Sequence, residues 1–166
     1  MNATFYVASI VAVLTTMLVI TRTHVVHALL YLVVSLLSLA LVFYTLGAPF
    51  AAALEVIVYA GAIVVLFVFV VMMLNLGSQS AHRERRWMTP ATWLGPGLFS
   101  AVLLGELIYS LYVGLPGREG VNVVPSRLVG MTLFGPYVLA VELASMLLLA
   151  GLVGAYHLGR REHLQH

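Results

Sequence analysis

Leu54-Glu55-Val56-Ile57-Val58-Tyr59-Ala60-Gly61-Ala62-Ile63-Val64-Val65-Leu66-Phe67-Val68-Phe69-Val70-Val71-Met72-Met73 is an apolar run broken by one carboxyl and one phenol. A helix crossing a hydrocarbon core takes roughly 20 residues, and this run is long enough. Lipid offers no hydrogen bonds to the backbone, so a span of this kind must be helical. Glu55 and Tyr59 are four apart and share a face of such a helix. Ala60-Gly61-Ala62 then removes side-chain bulk where that face continues.

Four more runs of the same character flank it, at about Ala3–Ile20, Val25–Leu46, Ala91–Leu115 and Phe134–Leu158, with the third at about Ala51–Leu74. The fold class is therefore all-α, an integral membrane protein with five transmembrane helices forming a single membrane domain over residues 1–166. Composition agrees: 62% of residues are apolar and only 8% charged, against about a quarter charged in a soluble domain. The first run lacks a basic leader, and Asn2 and Thr4 offer N-cap chemistry, so it reads as a retained helix.

All basic residues are Arg and all acidic residues Glu, with a net charge of +2. No basic stripe suggests nucleic acid. Cysteine is absent, which removes disulfides, thiolate zinc sites, cysteine-ligated iron–sulfur clusters and a cysteine nucleophile. Arg22, Arg83, Arg85, Arg86, Arg160 and Arg161 fall on one side of the five crossings, and Arg118 and Arg127 on the other. The positive-inside rule puts the richer side in the cytoplasm. The N-terminus is then outside (periplasmic) and the C-terminus cytoplasmic.

Gly47-Ala48-Pro49-Phe50 is a tight turn that makes the second and third spans neighbours. Gly77 to Pro90 reads as a polar cytoplasmic loop, and Pro116 to Gly130 as the external loop. Neither is long enough for a soluble catalytic module. Any chemistry is intramembrane or belongs to partners.

Charge inside a span is costly and usually functional. Glu55 lies about one turn, and Glu142 about two turns, inside the outer face, and Glu106 lies in the outer half of the fourth span. Such groups serve either as a proton or ion relay or as neutral carboxyls bonded to a neighbouring helix. Gly61 with its alanines either packs against a neighbour or makes room for a π-bulge. The fifth span opens on Gly135-Pro136 and carries the pairs Ala140/Ala144, Ala150/Gly154 and Gly151/Ala155. Small-xxx-small pairs allow close helix contact, within the chain or with other subunits. His24, His27 and His157 lie near cytoplasmic ends of spans; they are interfacial, or His27 and His157 hold a haem between two helices. Ser35 and Ser38 bond back to their own helix.

Three stretches make the chain recognisable: His27-Ala28-Leu29-Leu30-Tyr31-Leu32, the third span through Asn75, and Leu133-Phe134-Gly135-Pro136-Tyr137 running on through Gly151. They resemble the family formed by subunit J of bacterial proton-translocating NADH:quinone oxidoreductase (respiratory complex I) and its mitochondrial counterpart, NADH dehydrogenase subunit 6. The resemblance covers most of residues 1–78 and 129–158. It departs before the second span, where His24-Val25 stands in place of the family's frequent Asn-Pro, and the entry to that span is expected to be less kinked.

The resemblance implies five helices wedged among the other small membrane subunits of complex I in the bacterial inner (plasma) membrane. It implies no cofactor or metal in this chain. NADH, FMN, iron–sulfur clusters and quinone would be handled by other subunits, and the quinone-cavity subunit would be a partner. It also implies that the third span lines a hydrated acidic path and can carry a π-bulge that opens or closes it. By position, Tyr59 and Gly61 fall on that motif, Glu55 one turn before and Val65 in the same region. Glu142 matches an acid of the fifth-helix motif, and Glu106 takes no role by resemblance. The expected function is coupling of quinone reduction to proton pumping, through rewinding at Tyr59–Val65. The chain would be part of an enzyme without a catalytic centre of its own. The rivals are a haem-binding membrane anchor, a small proton-coupled transporter acting as a homo-oligomer, and a subunit of a cation/proton antiporter or membrane-bound hydrogenase complex.

Overall fold

The structure, a computed structural model, describes residues 3–23, 25–74, 90–112 and 123–159. Asn2, His24, Asn75, the Arg83/Arg85/Arg86 cluster, Arg118, Arg160 and Arg161 lie outside the described residues, as does the whole stretch from Gly77 to Met88. Every described regular element is helical. In order they are α1 (Ala3–Thr21), α2 (Val25–Thr45), α3 (Pro49–Leu54), π1 (Glu55–Ile63), α4 (Val64–Leu74), α5 (Pro90–Tyr112), α6 (Ser126–Leu133) and α7 (Val138–Gly159). Five helices are long and apolar enough to cross a membrane: α1, α2, the continuous third span from Pro49 to Met73, Trp93–Tyr112 within α5, and α7.

The chain divides into two units, Met1–Val124 and Pro125–His166. In the first, α1 and α2 form a hairpin. Ala8 and Val11 of α1 pack with Val34 and Leu41 of α2 and Leu103 of α5 as the buried core. Hydroxyls run along the seam. Thr15 is fully buried and donates to the Val11 carbonyl at 2.7 Å. Ser38 does the same to Val34 at 2.7 Å, while Thr16 and Ser35 meet across the two helices at 2.7 Å. In lipid, where apolar burial gives helices little reason to associate, hydrogen bonds of the last kind hold a hairpin together.

The expected tight turn is a Schellman ending of α2. Gly47 takes φ 83, Gly47 N–H donates to Tyr44 O at 3.1 Å, and Ala48 N–H donates to Phe43 O at 3.0 Å. The left-handed φ is one that glycine adopts without a Cβ penalty. Pro49 then opens α3, where its missing N–H has no helical use. At the other end of the hairpin, Tyr31 is buried between Arg22 and α5. Its ring lies under the Arg22 guanidinium at 5.4 Å and edge-on to Phe99 at 6.5 Å. The Tyr31 hydroxyl occupies the space that a Cβ on Gly95 would need, so glycine there lets the ring reach α5.

In the second unit the structure corrects two boundaries. The stretch expected as loop up to Gly130 already contains α6 from Ser126. The fifth spanning helix starts at Val138 rather than Phe134. Residues 134–137 are a turn between α6 and α7, so Gly135-Pro136 is a linker and not a first helical turn. A Cβ on Gly135 would sit 2.6 Å from the Met131 carbonyl, so that position of the turn has no room for a side chain. Along α7 only Val141 and Gly154 are even partly covered, and the space around Gly151 and Gly154 is open.

Candidate functional site in the third span

The third span changes its winding twice. Glu55 closes α3 with its N–H directed to Ala51 O and Ala52 O, an α-type register. At the far end, Val64 N–H is directed to Tyr59 O, five residues back, as well as to Gly61 O. Between them lies the nine-residue π1. Such wide turns are rare and tend to mark functional positions. They begin earlier than the expected Tyr59–Val65, at Glu55 itself.

Gly61 explains part of the tolerance for this winding. A Cβ there would meet the Val56 carbonyl, five residues back, at 3.1 Å. That contact is tighter than side chains normally accept, so glycine relieves the inside of the wide turn.

The candidate residues have different surroundings. Glu55 is 9% exposed, whereas Tyr59 is 52% and Val65 63% exposed. Val64 is the buried residue of α4, at 2%. The carboxyl therefore sits against the first unit's own helices, and the tyrosine turns outward. Glu106 is half-buried. Glu142 lies in the second unit, on the exposed surface of α7. His27 belongs to the first unit and His157 to the second. Among the described residues, no group of three His, Cys, Asp or Glu could hold a metal ion.

Two features had no clear signal in the sequence. One is a cavity of about 400 Å³ between α2, the start of the third span and α5, with walls that include Leu37, Tyr44, Ala53, Val56, Ser100 and Leu107. The other is Ser110, 2% exposed, whose hydroxyl has no hydrogen-bond partner among the described residues. Alternation of Ala52-Ala53 with Leu54-Glu55 could have suggested that one face of the third span is thin, but not that a void lies beside it.

Comparison with known proteins gives a consistent result. The family model described as NADH-ubiquinone/plastoquinone oxidoreductase chain 6 matches residues 15–158. The chain is 57% identical to NADH-quinone oxidoreductase subunit J of Escherichia coli (strain K12) over 163 residues, which covers 98% of this chain and 88% of that one. It is 57% identical to NADH-quinone oxidoreductase subunit J of Pseudomonas aeruginosa over 167 residues, 99% of this chain and 100% of the relative. Identity to NADH-quinone oxidoreductase subunit J of Buchnera aphidicola subsp. Schizaphis graminum is 44% over 162 residues, 98% of this chain and 99% of the relative.

Proposed function

This chain belongs to the NADH-ubiquinone/plastoquinone oxidoreductase chain 6 family, and from that membership we propose that it couples quinone reduction to proton movement as a membrane-arm subunit of NADH:quinone oxidoreductase. It is a multi-pass protein of the bacterial inner membrane. The five spans work as one membrane domain, with the N-terminus periplasmic and the C-terminus cytoplasmic. NADH, FMN, iron–sulfur clusters and quinone are bound by other subunits, and this chain holds no catalytic centre. Its partners are the small membrane subunits and the subunit that forms the quinone cavity.

The observation that carries the reading is the π-winding from Glu55 to Ile63. The small residues Ala60-Gly61-Ala62 leave room for both a wide turn and an ordinary α-turn, and wide turns tend to mark functional sites. Switching between them re-aims the residues on one side of the switch. Quinone reduction elsewhere alters the charge near the membrane and biases the two windings. Water then connects, or fails to connect, acidic groups on neighbouring chains. A proton relay needs polar groups within hydrogen-bond reach, directly or through one water. Tyr59, turned outward from its own chain, supplies a hydroxyl toward those neighbours. Glu55 is the carboxyl nearest the switch, Val65 lies just past it, and Glu142 is a further acid of the path.

Co-purification tests the assignment. A tagged chain extracted in mild detergent is expected to bring down NADH-oxidising activity in one complex. Recovery of the chain folded and alone, with the oxidoreductase complex intact without it, would overturn the reading.

A further inference from the structure

In the outer half of α5 a single stripe is covered. From Ala101 to Tyr112 every residue is exposed except Leu103, Glu106 and Ser110. Their spacing of three and then four residues puts them on one helical face, the face that α5 turns toward α1 and α2. Leu103 belongs to the buried core with Ala8, Val11, Val34 and Leu41. Glu106 therefore lies in the chain's own seam, with the apolar core on one side of it and Ser110 on the other.

Among the described residues, Glu106 forms no ion pair and no side-chain hydrogen bond, and the hydroxyl of Ser110, a residue 2% exposed, has no partner either. That sets Ser110 apart. Thr15, Ser38, Thr132 and Ser145 each donate to the carbonyl four residues back, at 2.7, 2.7, 2.8 and 2.9 Å. Ser110 leaves the equivalent carbonyl, that of Glu106 itself, without this second bond. Residues four apart on a helix have Cβ atoms about 5–6 Å apart, a gap that one water closes. A buried water makes about three hydrogen bonds, and the Glu106 carboxyl, the Glu106 carbonyl and the Ser110 hydroxyl supply them.

We propose that Glu106 and Ser110 form a proton-binding site, bridged by one water, that exchanges with the aqueous phase beyond the end of α5 and is closed toward the other half of the membrane by Leu103 and the core packed on it. Ser110 lies two residues before the end of α5 and Glu106 six, the latter about 9 Å below that end. The water and the hydroxyl supply a hydrogen-bonded link over that distance. Inward, the next covered residue of the stripe is Leu103, packed with Ala8, Val11, Val34 and Leu41. The site is a well rather than a through path, and it is separate from the third-span gate. α1 and α2, the helices against it, bring no described acid or base to this end. Their titratable side chains here are the phenols of Tyr6 and Tyr44, which ionise near pH ~10, while Arg22 and His27 lie at the opposite ends of these helices. The carboxyl is therefore the group that takes up and gives back the proton.

The assembled complex in sealed membrane vesicles tests the site. Dicyclohexylcarbodiimide enters lipid and adds to protonated carboxyls, and peptide mass spectrometry reads its adduct on Glu106. An N-terminal tag, cleavable by protease from one side only, shows on which face α1 starts and α5 ends. Labelling of Glu106 is expected to fall about tenfold for each unit by which the pH on that face rises above the group's titration point. It is expected to ignore the pH on the other face. Ser110→Ala removes a solvating partner of the carboxylate and is expected to carry labelling to higher pH on the same face, with assembly and NADH oxidation retained. Labelling that follows the pH of the opposite face, labelling or its absence unchanged at every pH, or a Ser110→Ala profile identical to that of the unaltered chain overturns the proposal. Where Ser110→Ala does not assemble, the two-sided titration of the unaltered chain decides alone. All of these outcomes leave the third-span gate standing.

Discussion

The backbone N–H of Val64 is directed to the carbonyl of Tyr59, five residues back, while that of Glu55 reaches Ala51, four back. The same helix thus changes register between its only carboxyl and its buried valine. That change links an unusual local backbone to the polar residues that interrupt an otherwise apolar span.

Substituting Gly61 tests the winding. Gly61→Ala places a Cβ 3.1 Å from the Val56 carbonyl, a contact that disfavours the wide turn by about 1 kcal/mol and shifts its population about fivefold. Coupled NADH:quinone turnover in membranes is expected to fall accordingly, with assembly retained on native gels. Gly61→Val, bulkier and β-branched, is expected to cost more. Wild-type rates in both would remove Gly61 from the switch.

Tyr31 and Gly95 form a lock between α2 and α5. Because the hydroxyl already occupies the Cβ position of residue 95, Gly95→Ala forces the ring out, at about 1–3 kcal/mol of overpacking. The amount of chain in the membrane and the thermal stability of the complex are expected to drop. Tyr31→Phe in the same chain removes the offending oxygen and is expected to restore part of the loss. No rescue would mean that Gly95 matters for another reason.

The Thr16–Ser35 bond, 2.7 Å across α1 and α2, is expected to contribute about 0.6 kcal/mol, up to about 2. A double-mutant cycle of Thr16→Val and Ser35→Ala, read by thermal stability of the detergent-solubilised complex, is expected to show that coupling. Strictly additive losses would argue that each hydroxyl serves only its own helix.

Much of this architecture was legible in the sequence, because in lipid the backbone leaves only helices and the apolar runs mark their positions. The α2–α3 turn was also legible, since Gly47 and Pro49 have fixed conformational roles. Boundaries near polar or small residues were less so. Thr132 and Gly130 are compatible with either a loop or a short helix, and α6 proves to be helical there. Of the candidate site, Glu55, Tyr59 and Gly61 stood out as polar or small residues in an apolar run. The extent of the π-winding did not, because it depends on which carbonyl an N–H chooses among nearly equal options. The cavity and the Tyr31–Gly95 lock depend on contacts between distant spans, which one sequence does not display.

In the proposed function the third span gates or carries charge, and Tyr59 is the most exposed polar group of that span. The direct measurement is proton uptake per NADH oxidised in inside-out membrane vesicles carrying Tyr59→Phe, with assembly checked in parallel. An assembled complex is expected, with coupled turnover several-fold slower, because the hydroxyl link is gone while the ring remains. A fully assembled Tyr59→Phe complex with the wild-type rate and proton yield would contradict it.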